Sequence, residues 1–130
     1  MIPFRLWACD APERGQSYFT EARAYLVGLV LNKNCTFIPR HIDPYQRHVI
    51  ELFTPDGGDV ALLMLEAGMA WFTKQHAPMN QEYMRAMQRA MANRRGLFIE
   101  NDPIPPWTFR HHNPGRYQRP MSPIKRRQKA

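Results

Sequence analysis

Ten residues near the start of the chain constrain it more than any others. Phe4-Arg5-Leu6-Trp7-Ala8-Cys9-Asp10-Ala11-Pro12-Glu13 begins as an extended, mostly apolar run and stops at a proline. Pro12 disfavours helix for Ala11 before it, so residues 3–9 read as a strand that feeds a turn. One arginine and two carboxylates arrive within that span, beside a strand end, where sites are often built. Asp10 and Glu13 suit a hard cation, which takes oxygen ligands, and one of them could instead be a general base. Arg5 can hold a phosphate oxygen pair with its planar fork. Singly, each has a plainer reading: Arg5 paired with a surface acid, Asp10 capping a turn, Glu13 solvated.

The rest of the chain alternates helical and extended patterns. Ser17 is placed as an N-cap, and Phe19, Ala22, Leu26, Leu29 and Val30 recur at three- and four-residue steps, one apolar face of a helix running to about Leu31. Cys35 to Arg40 reads as a strand closed near Pro39, His41 to Gln46 as a polar hairpin loop, and Arg47 to Phe53 as the next strand. Pro55-Asp56-Gly57-Gly58 is a turn. Asp59 can cap a short helix to Ala67 with Gly68 at its C′ position, and Met69–Phe72 reads as a short strand. Asn80 can cap a third helix to about Arg95, with Tyr83, Met87, Ala90 and Met91 on its core side and Gly96 at C′. The order is strand, helix, two strands, helix, helix.

From Asn101 prolines accumulate, at 103, 105, 106, 114, 120 and 123, and apolar periodicity ends. We expect a domain over 1–100, a proline-rich extension over 101–113 that packs on it through Trp107 and Phe109, and a disordered basic tail over 114–130. Charge follows the same division. Residues 1–102 carry all 11 acidic residues and 11 of the 18 lysines and arginines; everything charged after Asp102 is basic, Arg110 included. The formal net charge of +7 therefore falls on residues 103–130, a basic end that either attracts phosphates or serves for solubility. Cys9 and Cys35 read as buried free thiols, with a disulfide between them as the alternative. There is no C-x-x-C or His/Cys cluster of zinc spacing, and His111-His112 reads as incidental. No apolar run reaches the length of a membrane span. No signal peptide is visible, which leaves the compartment open: secreted or periplasmic with an upstream signal, cytoplasmic without one.

RLWACDAPERGQ resembles the RLxGIDAPExGQ signature of thermonuclease (staphylococcal nuclease-like) domains. Asp43-Pro44-Tyr45-Gln46-Arg47 stands where the family's D-x-Y-G-R segment belongs. Gly68-Met69-Ala70-Trp71, Arg94-Arg95-Gly96-Leu97 and Pro105-Pro106-Trp107 follow in the family's order, so the resemblance covers roughly residues 3 to 110. It implies an α+β fold: a small β-barrel of the OB type with three helices. It also implies a calcium-dependent endonuclease that hydrolyses phosphodiester bonds of DNA and RNA, single strands preferred. Carried over by position, Arg5 and Arg47 match the arginines on the scissile phosphate, and Glu13 the general base. Asp10 matches a calcium ligand, Ala11 a calcium-binding main-chain carbonyl, and Tyr45 an aromatic near the bound nucleotide.

Three departures qualify the match. Ala8-Cys9 replaces glycine-isoleucine, and Gln46 replaces the glycine before Arg47. Ahead of Phe4 the family has two strands with an aspartate-bearing turn, where this sequence has Met1, Ile2 and Pro3. The expectation is therefore an incomplete barrel with a weakened calcium site. The alternative is a non-catalytic OB-type module that binds nucleic acid or protein.

Overall fold

The strand expected over residues 3–9 is two strands with a turn between them. In the computed structural model of the chain, which describes residues 4–73 and 80–113, β1 covers Phe4–Leu6 and β2 Cys9–Asp10. The break follows Trp7, at Ala8, which takes a φ of 79°. This left-handed conformation costs a residue with a Cβ about 1–2 kcal/mol. The turn sends the two halves to different sheets. β4 (His48–Phe53) is the centre of a three-stranded sheet, parallel to β1 and antiparallel to β3 (Thr36–Ile42). β2 pairs antiparallel with β5 (Trp71–Phe72).

β3 continues beyond Arg40 into the stretch expected as loop, with a register shift between Pro39 and His41. Pro39 is tolerated because β3 is a sheet edge and a shifted register leaves no ladder bond for it to supply. Every residue of β3 is exposed, Phe37 and Ile42 at 59% each.

Among the described residues there are four helices where three were expected. α1 covers Phe19–Val30, α2 Val60–Glu66, α3 Gln81–Ala92 and α4 Pro106–His112; a 3-10 turn at Gly96–Ile99 precedes α4. Two caps stand as expected: Asp59 accepts from the Leu62 N–H at 3.3 Å, and Asn80 from the Tyr83 N–H at 3.2 Å. Two do not. The N-cap of α1 is Tyr18, with no side-chain cap bond, while Ser17 donates its hydroxyl hydrogen bond to Glu100. α3 ends at Ala92, and the left-handed residue after it is Arg94, φ 52°; Gly96 instead opens the 3-10 turn. α4 was unforeseen. Its first residue is Pro106, whose fixed φ and missing N–H suit a first helical position.

The core lies between the sheet and α2–α3. Leu6, Ile50 and Leu52 face Val60, Ala61, Met64 and Leu65 of α2, with Tyr83 and Ala86 of α3 closing the other side. A second cluster joins Trp71, Ala90, Leu97 and Phe98. Of the expected α3 face, Met87 packs on the core and Met91 is exposed. Cys9 and Cys35 are both free; Cys9 is buried, Cys35 only half so. The two sheets are small and open, which makes the α+β fold consistent with an incomplete barrel. No helix among the described residues is long and apolar enough to cross a membrane. The basic tail expected to be disordered, 114–130, lies outside the described residues.

Candidate nucleic-acid hydrolysis site

The turn at Ala8 sets up the site. It leaves Arg5 on β1 and brings Asp10, on β2, back beside it, with the Arg5 guanidinium 3.8 Å from Asp10 Oδ2. Asp10 is 8% exposed, and burying a carboxylate is tolerable only when it is paired. Glu13 follows two residues after half-buried Ala11, in a turn held by its own N–H, which donates to Gln16 Oε1 at 2.8 Å. Gln16 in turn donates to the Ile104 carbonyl at 2.5 Å. The loop carrying Glu13 is thereby tied to the segment that leads into α4.

The residue that joins the two carboxylates is Arg110. Its Nη1 donates to Glu13 Oε2 at 2.5 Å, and its Nη2 to Asp10 Oδ2 at 2.8 Å; a longer contact joins Nη1 to Asp10 Oδ1 at 3.4 Å. The guanidinium thus forks across both acids, a geometry that arginine makes and lysine does not. Burial works against its charge, but the hydrogen bonds and charges of Asp10 and Glu13 outweigh burial and hold its pKa above the ordinary value. Sequence reasoning counted Arg110 as one charge of a basic tail. The available signal was local: Pro106 fits a helix start, and Arg110 follows Trp107 by three residues, one turn on.

Arg47 and Tyr45 stand in a second group, on the loop between β3 and β4. Arg47 Nε donates to Asp43 Oδ2 at 2.8 Å, while Asp43 Oδ1 accepts the N–H groups of Tyr45 and Arg47 at 2.9 Å each. The Arg47 guanidinium also lies 5.8 Å from the Tyr45 ring centroid. Burial would raise the Asp43 pKa, but these N–H donors and the Arg47 charge outweigh it, and the pKa is lowered. Asp43 is thus the anchor of this loop, a part the sequence reading gave to no residue. Gln46 takes a φ of 68°, a left-handed conformation that a glycine would adopt without strain.

Asp10 and Glu13 converge on one cationic position, so the donor set fits a hard divalent ion, with the Ala11 carbonyl adjacent in the chain. Among the described residues, however, no group of three or more His, Cys, Asp or Glu side chains gathers around one point. A bound ion would depend on main-chain oxygen and water for the rest of its shell.

The fold and site together define a small α+β domain that carries an arginine and two carboxylates at a β-strand turn. Residues 3–100 match the family described as staphylococcal nuclease homologue, and the chain belongs to that family. It is similar to an uncharacterized endonuclease of Escherichia coli O157:H7, 33% identical over 111 residues, which span 85% of this chain and 71% of the relative. An uncharacterized endonuclease of Haemophilus influenzae is 34% identical over 84% of this chain and 60% of its own length. A micrococcal nuclease of Shigella flexneri is 28% identical over 84% of this chain and 68% of its length.

Proposed function

We propose that the protein is a nuclease that hydrolyses phosphodiester bonds of DNA and RNA, single strands preferred, with calcium as its cofactor. The observation that carries this reading is the meeting of Asp10 and Glu13 on one cationic position beside Arg5. In the reaction, water adds to phosphorus and its proton passes to the Glu13 carboxylate, while the bond to the leaving sugar oxygen breaks and that oxygen takes a proton from solvent water. Arg5 and Arg47 hold the phosphate oxygens as charge builds on them, and Tyr45 supplies a ring for a base to stack on. Asp10 and the Ala11 carbonyl would hold calcium, which when bound supplies Lewis-acid stabilisation of the phosphate.

The test is degradation of single-stranded DNA with calcium and with chelator, by wild type and Glu13→Gln. Loss of a general base lowers the rate by about 10²–10⁴-fold. Equal rates for the two proteins would remove Glu13 from the chemistry. A second reading, a module that binds nucleic acid without cutting it, draws on Arg110, which neutralises both carboxylates that the reaction needs free. It expects retained binding and no cleavage with calcium present.

A further inference from the structure

We infer that Arg110 and a divalent metal ion are mutually exclusive occupants of the Asp10–Glu13 carboxylate pair, so that metal enters this site only by displacing the guanidinium of α4. The inference rests on the calcium reading above and adds to it a residue of the chain's own.

Geometry is the first support. Arg110 takes Oε2 of Glu13 at 2.5 Å and Oδ2 of Asp10 at 2.8 Å, with Oδ1 of Asp10 at 3.4 Å. Calcium needs its oxygens at about 2.3–2.6 Å. The Asp10 oxygen that would turn toward the ion, and the Glu13 oxygen that would face the water beside it, are those that now turn toward Arg110, and a guanidinium left among them would lie in contact with a like charge.

Charge is the second. Arg5 and Arg110 face Asp10 and Glu13, two cations against two anions. A balanced cluster exerts little pull on a further cation. Removing the Arg110 charge leaves the carboxylates in excess, and in a partly buried site that excess is felt strongly.

The third is mechanical. α4 has anchors besides Arg110: Pro106 is buried, Trp107 meets Trp71 edge-on at 6.0 Å between centroids, and Gln16 donates to the Ile104 carbonyl just ahead of the helix at 2.5 Å. The Arg110 side chain can therefore leave the carboxylates while the helix stays docked.

The test titrates calcium alone into the full chain by calorimetry, for wild type, Arg110→Gln and Arg110→Lys. We expect Arg110→Gln to bind calcium about tenfold tighter or more, given what a unit charge is worth at a few ångström in a partly buried site. Arg110→Lys should fall between, keeping the charge but losing the fork. In the wild type, the Arg110 side-chain NMR signal, assigned by its loss in Arg110→Gln, should shift as calcium saturates. Calcium binding by Arg110→Gln that is no tighter than wild type, in a variant with unchanged circular dichroism, overturns the inference. If that variant fails to fold, Arg110→Lys, assigning the signal in the same way, and the wild-type signal decide: a signal unmoved at calcium saturation overturns it. If neither wild type nor variant binds calcium, exclusion falls and so does calcium as cofactor. Cleavage of DNA in chelator would then leave the nuclease reading standing without it.

Discussion

Ala8 and Gln46 replace glycines of the family pattern, and both have left-handed backbone, φ 79° and 68°. The same strain has different consequences at the two positions. Gln46 is exposed, so Gln46→Gly removes a cost of about 1–2 kcal/mol against the added freedom of glycine in the unfolded chain. We expect a net gain of about 0.5–1 kcal/mol, read as a raised urea midpoint with unchanged slope. Ala8 is fully buried. There, loss of a buried methyl, about 0.8 kcal/mol, offsets the relief, and Ala8→Gly should be close to neutral. Cys9 shows a second residue-scale effect. Burial, then the neighbouring Asp10 charge, push its thiol pKa from 9.0 up to about 12. A raised pKa means that the folded state holds the proton longer than the unfolded chain. The stability it reflects is fully present below pH 9 and is lost as pH rises toward 12, by at most about 1.4 kcal/mol per pH unit. Denaturant melts at pH 8, 9.5 and 11 should show this fall, and Cys9→Ala should lessen it; Tyr83, whose pKa burial and the Asp59 carboxylate also raise, adds its own fall above pH 10. Because the thiolate is the reactive form, a thiol reagent at pH 8 should modify half-buried Cys35 and reach Cys9 only after unfolding.

The junction between α2 and the 3-10 turn allows no side chains at its two glycines. Gly68 (φ 72°) and Gly96 (φ 53°) cross so closely that a Cβ on Gly68 would lie 2.3 Å from the Arg95 carbonyl oxygen, and one on Gly96 2.3 Å from that of Gly68. The Leu97 N–H donates to the Gly68 carbonyl across the crossing at 2.9 Å. Either glycine changed to alanine must push backbone from backbone, and we expect a loss above about 3 kcal/mol in chemical denaturation. Nearby, Tyr83 of α3 donates its hydroxyl to the Asp59 carboxylate that caps α2. Tyr83→Phe should cost about 1–2 kcal/mol in the same measurement. Capped helices with an apolar face were legible in the sequence, because Asp59, Asn80 and the α3 pattern are local signals. The split of β1 from β2 was not: nothing in Trp7-Ala8 marks a left-handed turn once the glycine is gone. α4 was hidden because proline clusters suggest irregular chain, although Pro106 stands where a helix can begin. The site was half legible. Arg5, Asp10 and Glu13 are close in sequence, whereas Arg110 reaches them from the far end of the chain, a pairing that only the folded structure makes visible.

At the scale of the whole chain, the charge is divided between residues 1–102, whose acidic and basic groups balance, and a basic end. Residues 114–130 carry six basic groups and no acidic one. Their removal should lower the slope of log affinity for single-stranded DNA against log salt, with sequence preference unchanged; an identical slope would mean that the tail leaves phosphate alone. The parallel pairing of Phe4–Leu6 with His48–Ile50 has a different kind of consequence. Antiparallel β3 and β4 are joined by a short loop, and α2 and α3 are near neighbours in the chain, so these contacts close small loops. β1 can dock only after β4 exists, and Arg110 can reach Asp10 only when both ends of the chain are in place. Long loops are entropically slow to close. During folding, the backbone amides of β1, β2 and α4 should therefore be the last to acquire protection in pulse-labelled hydrogen exchange, and a newly made chain would pack β3, β4, α2 and α3 before Leu6 closes the core and Arg110 reaches Asp10.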